Sequence, residues 1–250
     1  MVKYREGYHG GIEKYDFSFL SIARGFTLLV TPIIVFTLSI FPVVYTILFV
    51  IKILNFAIIL HVLFFSLFLV VELFFFIILG VFIPGLIIRM LNLKVDEGVH
   101  DVSLKDKNFF KYLLYYVLYR PALKIISILP LLPLRVRFLK LVGLKMGKSS
   151  VMAGTELIHD PYMVEIGEQT IVGGWSQISG HITEDKLIVK PVKIGDNCMI
   201  GGKSFIMSGV TIEDDVTLGL GSVVLKDKTL KKGRLYAGVP AREIKKKDER

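Results

Sequence analysis

Cysteine is nearly absent from this 250-residue chain: Cys198 stands alone, so no intramolecular disulfide can form and nothing calls for an oxidising compartment. It occupies a small-residue position of the repeat described below, where burial is expected rather than nucleophilic chemistry. Charge is also scarce. Only 21% of residues are Asp, Glu, Lys or Arg against 53% hydrophobic ones, and mean hydropathy is +0.60. That shortage excludes intrinsic disorder and an ordinary soluble domain, and makes a membrane segment the first expectation.

The formal charge is +9, and its distribution decides what it means. Residues 1–25 carry +1, residues 26–88 none net, residues 89–148 carry +8, and residues 149–250 none net. A basic collar directly after the most apolar stretch is attracted to anionic lipid, by about 1 kcal/mol per Lys or Arg near the surface. Nucleic-acid binders carry their charge on the folded domain instead, so a bilayer with anionic headgroups is the expected partner and nucleic acid is not.

Charge is missing altogether between Phe26 and Ile51, and after Lys52 a second apolar run extends from Ile53 to Ile88, interrupted by His61 and Glu72. Each run exceeds the roughly 20 residues that a membrane-spanning helix needs. Spans are expected near 26–50 and 54–79, with a turn near Lys52 and Asn55 and a looser exit at Pro84-Gly85. The first run is too long for a signal-peptide core and lacks a small-residue cleavage pattern, so it reads as a retained anchor. Lys and Arg on both flanks place both ends of the hairpin, and the rest of the chain, in the cytoplasm. His61 and Glu72 lie three helical turns apart on nearly one face, which fits either polar packing between helices or a pocket for a lipid-linked acceptor.

Residues 109–144 interleave Phe109, Phe110, Tyr112, Tyr115, Tyr116 and Tyr119 with Lys and Arg, and Pro121, Pro130 and Pro133 divide them. Interfacial helices are the expectation. The reading is therefore a cytosolic segment (1–25), a transmembrane helical hairpin (26–88), a basic interfacial linker (89–141), a β domain (142–244) and a basic tail (245–250).

The β domain rests on a repeat. Apolar residues recur every six positions at Ile194, Ile200, Ile206, Ile212, Leu218 and Val224. Two places before each lie Val192, Cys198, Ser204, Val210, Val216 and Ser222. The register extends upstream through Met146, Met152 and Ile158, slips by two, and resumes at Ile166, Val172 and Ile178. A period of six fits neither an amphipathic helix nor a continuous alternating strand; it fits a coil in which each hexad is one short strand and a turn. This pattern, with Pro191-Val-Lys-Ile-Gly-Asp-Asn-Cys-Met-Ile-Gly-Gly and the closing Gly238-Val-Pro-Ala-Arg242, resembles the hexapeptide-repeat acyltransferases. The resemblance implies a left-handed parallel β-helix of three hexads per coil, an acyl-coenzyme A donor and a homotrimer.

The repeat breaks between Ile182 and Val192, in a ten-residue excursion that begins at His181, and such excursions are often functional. Acyl transfer to an amine or hydroxyl needs a base near neutral pH, which imidazole supplies. Glu184 and Asp185 are candidates to orient that imidazole or hold a cationic acceptor. His159-Asp160, at the two-residue slip, forms either a local hydrogen bond or part of an acceptor site. The arrangement His181-x-x-Glu184-Asp185 is similar to the membrane-linked branch of the family, which includes the terminal domains of poly-lysine synthetases. That similarity implies His181 as catalytic base and admits an acyl or aminoacyl carrier protein as thioester donor.

For the donor, the resemblance points to Gly201, Gly202 and Ser208 along the β-helix flank, with Lys226, Arg242 and Lys245 toward phosphate. Gly219-Leu-Gly221 lacks the strand-to-helix transition of a dinucleotide loop. Histidine is scarce too: the β-helix holds only His159 and His181, too few for the three-histidine zinc site of the related carbonic anhydrases, so no metal is expected. A non-catalytic trimeric assembly module at the membrane is the competing reading.

Overall fold

A computed structural model describes residues 18–129 and 131–244. Most of the N-terminal segment, Pro130 and the basic tail with Lys245 lie outside the described residues. The chain begins with two long antiparallel helices, α1 (Phe19–Ile53) and α2 (Ile59–Met90), both long and apolar enough to cross a membrane. Ser18 caps α1 by accepting the Ser21 amide. Side chains such as Phe26, Leu29, Leu63 and Leu67 stand outward, each more than 60% exposed. An apolar surface of that kind has no stable contact with water.

Between the helices the Glu72 carboxylate is buried and accepts a hydrogen bond from the Thr46 hydroxyl at 2.8 Å. Glu72 thus serves interhelical packing. His61 lies apart from it, its Nδ1 accepting the Asn55 amide in the turn. Pro84-Gly85 does not loosen the exit as expected: α2 continues through both to Met90. Gly85 is a close-approach site, since a Cβ there would lie 2.9 Å from Leu141 and 3.2 Å from Phe138.

Two shorter helices, α3 (Lys107–Ile126) and α4 (Leu132–Leu141), lie between this hairpin and the β domain. Asp106 caps α3 through the Phe109 amide at 2.7 Å. Pro121 does not divide α3, which is continuous for 20 residues. Tyr112, Tyr115 and Tyr119 also depart from the headgroup expectation. They are buried against protein, Tyr119 stacks on Phe138 of α4 at 5.8 Å, and its hydroxyl donates to the Ile158 carbonyl at 2.6 Å. The helices and the β domain consequently share one core.

The β domain is a left-handed parallel β-helix with three faces. The first face stacks Lys145–Met146, Val164–Ile166, Val192–Ile194, Thr211–Ile212 and Thr229–Leu230. The second runs from Val151–Met152 to Leu235–Ala237, where an antiparallel strand, Arg242–Glu243, closes it. The third stacks Leu157–Ile158, Gln177–Ile178, Phe205–Ile206 and Val223–Val224. The hexad residues face inward in register, as in Ile158, Ile178, Ile206 and Val224, all buried. Burying each such side chain stabilises the fold by about 1.5–3 kcal/mol. The residues two places earlier, from Val192 to Ser222, are buried as well. Cys198 is among them, and burial raises its thiol pKa.

The excursion is not an irregular loop. His181–Thr183 and Lys186–Val189 form a hairpin, and the second strand pairs with Gly98–Asp101 from the segment between α2 and α3. The result is a three-stranded antiparallel sheet attached to one corner of the β-helix.

Candidate active site

Both irregularities of the repeat fall at one corner, where the third face turns into the first. In one coil the two extra residues accommodate His159, Asp160 and a 3-10 turn, Pro161–Met163. In the next coil the ten-residue excursion departs at His181. Stacking the coils brings the two breaks together although 21 positions separate Asp160 from His181. The coil ladder dictates this proximity: Leu157 and Ile158 pair with Gln177 and Ile178 just upstream.

The Asp160 carboxylate accepts a hydrogen bond from His181 Nδ1 at 2.5 Å. Asp160 is 1% exposed, whereas the His181 side chain retains 16%. A buried carboxylate at Nδ1 fixes the ring and its tautomer and leaves the Nε2 lone pair available. Nε2 lies 3.0 Å from the Tyr112 hydroxyl of α3. Burial, reinforced by the Asp160 charge, raises the Tyr112 pKa. The phenol therefore stays protonated and donates to Nε2. The His159 ring stands edge-on to His181 at 5.9 Å. Burial is the main cause that lowers its pKa, ahead of the opposing Asp160 charge, so His159 is neutral at neutral pH. The site thus combines a carboxylate-oriented imidazole, a neutral second imidazole and a protonated phenol, a set chemically suited to proton transfer.

The sequence-derived candidates divide around this centre. His159, Asp160 and His181 come together, with Asp160 rather than Glu184 holding the imidazole. Glu184 instead pairs with Lys226 at 2.6 Å on the exposed rim of the same corner. Asp185 lies at the hairpin tip, in a surface depression shared with Asp101 and Lys186. Ser208 is buried beneath the hairpin base, its hydroxyl donating to the Gly180 and Lys190 carbonyls at 3.1 and 3.3 Å, so it braces the excursion from within. Gly201 and Gly202 turn a different corner, between the second and third faces, where close coil stacking requires them. A Cβ on Gly201 would lie 2.6 Å from the Gly219 backbone, and one on Gly202 2.8 Å from the Gly174 carbonyl. Arg242 is exposed on the closing strand, and Lys245 lies outside the described residues. Among the described residues, no group of three or more His, Cys, Asp or Glu is placed to hold a metal ion.

Sequence reasoning missed Tyr112. Its only signal was membership of an aromatic-rich segment, and 69 positions separate it from His181.

Part of the chain is similar to known proteins. The family model described as hexapeptide repeat of succinyl-transferase matches residues 191–226. Galactoside O-acetyltransferase of Escherichia coli (strain K12) is 34% identical over 101 residues, which make up 37% of this chain and 49% of the relative. The chain therefore spans about half the length of that curated relative. Among solved structures, a maltose O-acetyltransferase from Clostridium difficile 630 aligns with 46% of this chain and 75% of its own, at 27% identity and a TM-score of 0.39. A galactoside acetyltransferase in complex with coenzyme A aligns over 45% and 70% at 22% identity and a TM-score of 0.36.

Proposed function

The β-helix makes this chain a member of the hexapeptide-repeat acyltransferase family, and from that premise we propose that it is a membrane-anchored acyltransferase with His181 as general base. One observation carries the reading: a buried carboxylate, Asp160, holds Nδ1 of a partly exposed histidine at 2.5 Å, at the corner where both register breaks of the repeat coincide.

In this reading Asp160 keeps the Nδ1–H tautomer, and an amine or hydroxyl acceptor takes the position of the Tyr112 hydroxyl against Nε2. His181 removes the acceptor's proton as its nitrogen or oxygen attacks the carbonyl carbon of an acyl-coenzyme A thioester. Backbone N–H groups hold the tetrahedral oxyanion. Collapse breaks the carbon–sulfur bond, and the imidazolium returns the proton to the departing thiolate. Tyr112 positions Nε2 before the acceptor arrives. The likeness to galactoside O-acetyltransferase, 34% identical over 101 residues, supports an acyl thioester as donor.

The two apolar helices form the anchor. Lys and Arg cluster on the polypeptide flanking the hairpin, which puts both termini and the β-helix on the cytosolic side. The functional unit is a homotrimer, in keeping with the family. Purified full-length protein is expected to release thiol from acetyl-coenzyme A only when a small amine or hydroxyl acceptor is present. His181→Ala is expected to lose that release, and undiminished turnover in a folded His181→Ala protein would overturn the assignment.

A further inference from the structure

A cavity of about 640 Å³ opens between the α3–α4 elbow and the first two coils of the β-helix, within the usual range for ligand sites. Its lining is two-natured. Leu123, Leu129, Leu131 and Leu132 supply an apolar wall, while Arg120, Lys124 and Arg135 project cations into the same space. Arg135 carries most weight, because it is only 6% exposed. Its terminal nitrogens donate to the Ser127 hydroxyl and the Glu156 carbonyl, yet its buried Nε–H has no acceptor among the described residues. Arg120 and Lys124 pair with no carboxylate among the described residues; Arg120 lies over the Tyr116 ring of the same helix at 5.5 Å. The one carboxylate of the lining, Glu156, already accepts the Gly154 amide through both oxygens. Three cations against one engaged carboxylate leave an excess of positive charge in a largely apolar chamber. Arg135, the one buried cation of the three, carries the desolvation cost of such charge without an anionic partner.

The position of the cavity indicates where the partner comes from. The elbow exposes Ile128 and Leu132, and the opposite face of α3 packs on α2, with Ile125 against Gly80. The chamber thus lies across α3 from the apolar hairpin, with the exposed Leu132 of the elbow in its lining. It also lies near His181: Gln177 lines it and pairs across the coils with Leu157, two residues before His159, whose ring stands 5.9 Å from His181.

We infer that this cavity binds a lipid-borne phosphate, with the hydrocarbon chain along the leucines of the elbow and the phosphate against Arg120, Lys124 and Arg135. The inference rests on the acyltransferase reading for one point alone, that this amphiphile delivers the acceptor group to His181. Arg and Lys suit phosphate, and the guanidinium fork of Arg offers paired donors.

Trp175 lines the cavity and is the sole tryptophan of the chain, so its fluorescence reports occupancy directly. Full-length protein in phosphatidylcholine nanodiscs is titrated with decyl phosphate, decanol or inorganic phosphate. A saturable fluorescence change with decyl phosphate only is expected. The double variant Arg120→Gln/Lys124→Gln should weaken it at least about tenfold, through loss of charge-assisted contacts. His181→Ala should bind as the wild type, which separates failure of this site from failure of the catalytic assignment. Arg135→Lys tests the buried fork without removing its charge and should also weaken binding. The inference is overturned if decyl phosphate gives no saturable change, or if inorganic phosphate reproduces it, which marks a free-phosphate site. It is equally overturned if decanol reproduces it, or if both cation variants bind as the wild type. A change that tracks protein concentration without ligand would mark the cavity as a contact between copies of the chain and overturn it as well.

Discussion

At the scale of single residues, the site depends on electrostatics that burial sets. His159 is held neutral chiefly by desolvation, so near its ordinary pKa of 6.5 the unfolded chain binds more protons than the folded one. Stability from this residue is therefore fully present above that value and lost as pH falls through the depressed one. Thermal melts of the wild type should shift downward on acidification from neutral pH, and those of His159→Gln should shift less. Asp160, His181 and Arg120 face the same ring and remain in both proteins, so equal slopes would contradict the assignment of the effect to His159. His181 was legible in the sequence because it opens the longest break in a six-residue rhythm. Asp160 was legible only as a neighbour of the smaller break. Its role was not, because the pairing depends on how consecutive coils stack, and the nearer acidic residues, Glu184 and Asp185, drew the expectation away. Tyr112 left only its place in an aromatic-rich segment, since a helix surface shows which residues are aromatic but not which one meets a distant imidazole.

At the scale of elements, the hexad period specified the β-helix almost completely, because every inward residue repeats one geometric task and the errors of one coil cannot hide in the next. Glycine was harder to read. Gly201 in a flank turn is compatible with donor binding and with coil stacking, and a Cβ 2.6 Å from the Gly219 backbone decides for stacking. Gly201→Ala should therefore destabilise the full chain by about 1–3 kcal/mol through overpacking, read as a lowered melting temperature; an unchanged melt with a raised KM for donor would show a binding role instead. The excursion hairpin illustrates the limit of local patterns. Its place in the repeat was visible, but its partner, Gly98–Asp101, lies before α3, and non-local antiparallel pairing has no signature in either segment alone. Likewise Pro121 reads as a helix breaker locally, while the buried tyrosine face of α3 holds the helix together through tertiary packing.

At the scale of the whole molecule, scarcity of charge in one half and balance of charge in the other describe two bodies with different solvents. The apolar hairpin exposes its side chains and the basic collar follows it. Full-length protein should accordingly stay in the membrane pellet after an alkaline carbonate wash, and release into the supernatant would contradict the anchor. Shared packing of α2, α3, α4 and the first coils means that the Asp160–His181 corner is held at a fixed place relative to the apolar hairpin, as the proposed delivery of an acceptor from lipid requires. The central claim concerns the Asp160–His181 pair. It is tested most directly by acceptor-dependent thiol release from acetyl-coenzyme A, compared among wild type, His181→Asn and Asp160→Asn proteins that melt at the same temperature. Both variants are expected to lose about 10²–10⁴-fold in kcat with little change in donor KM, the range a positioned general base supplies; turnover in either variant equal to that of the wild type would contradict the claim.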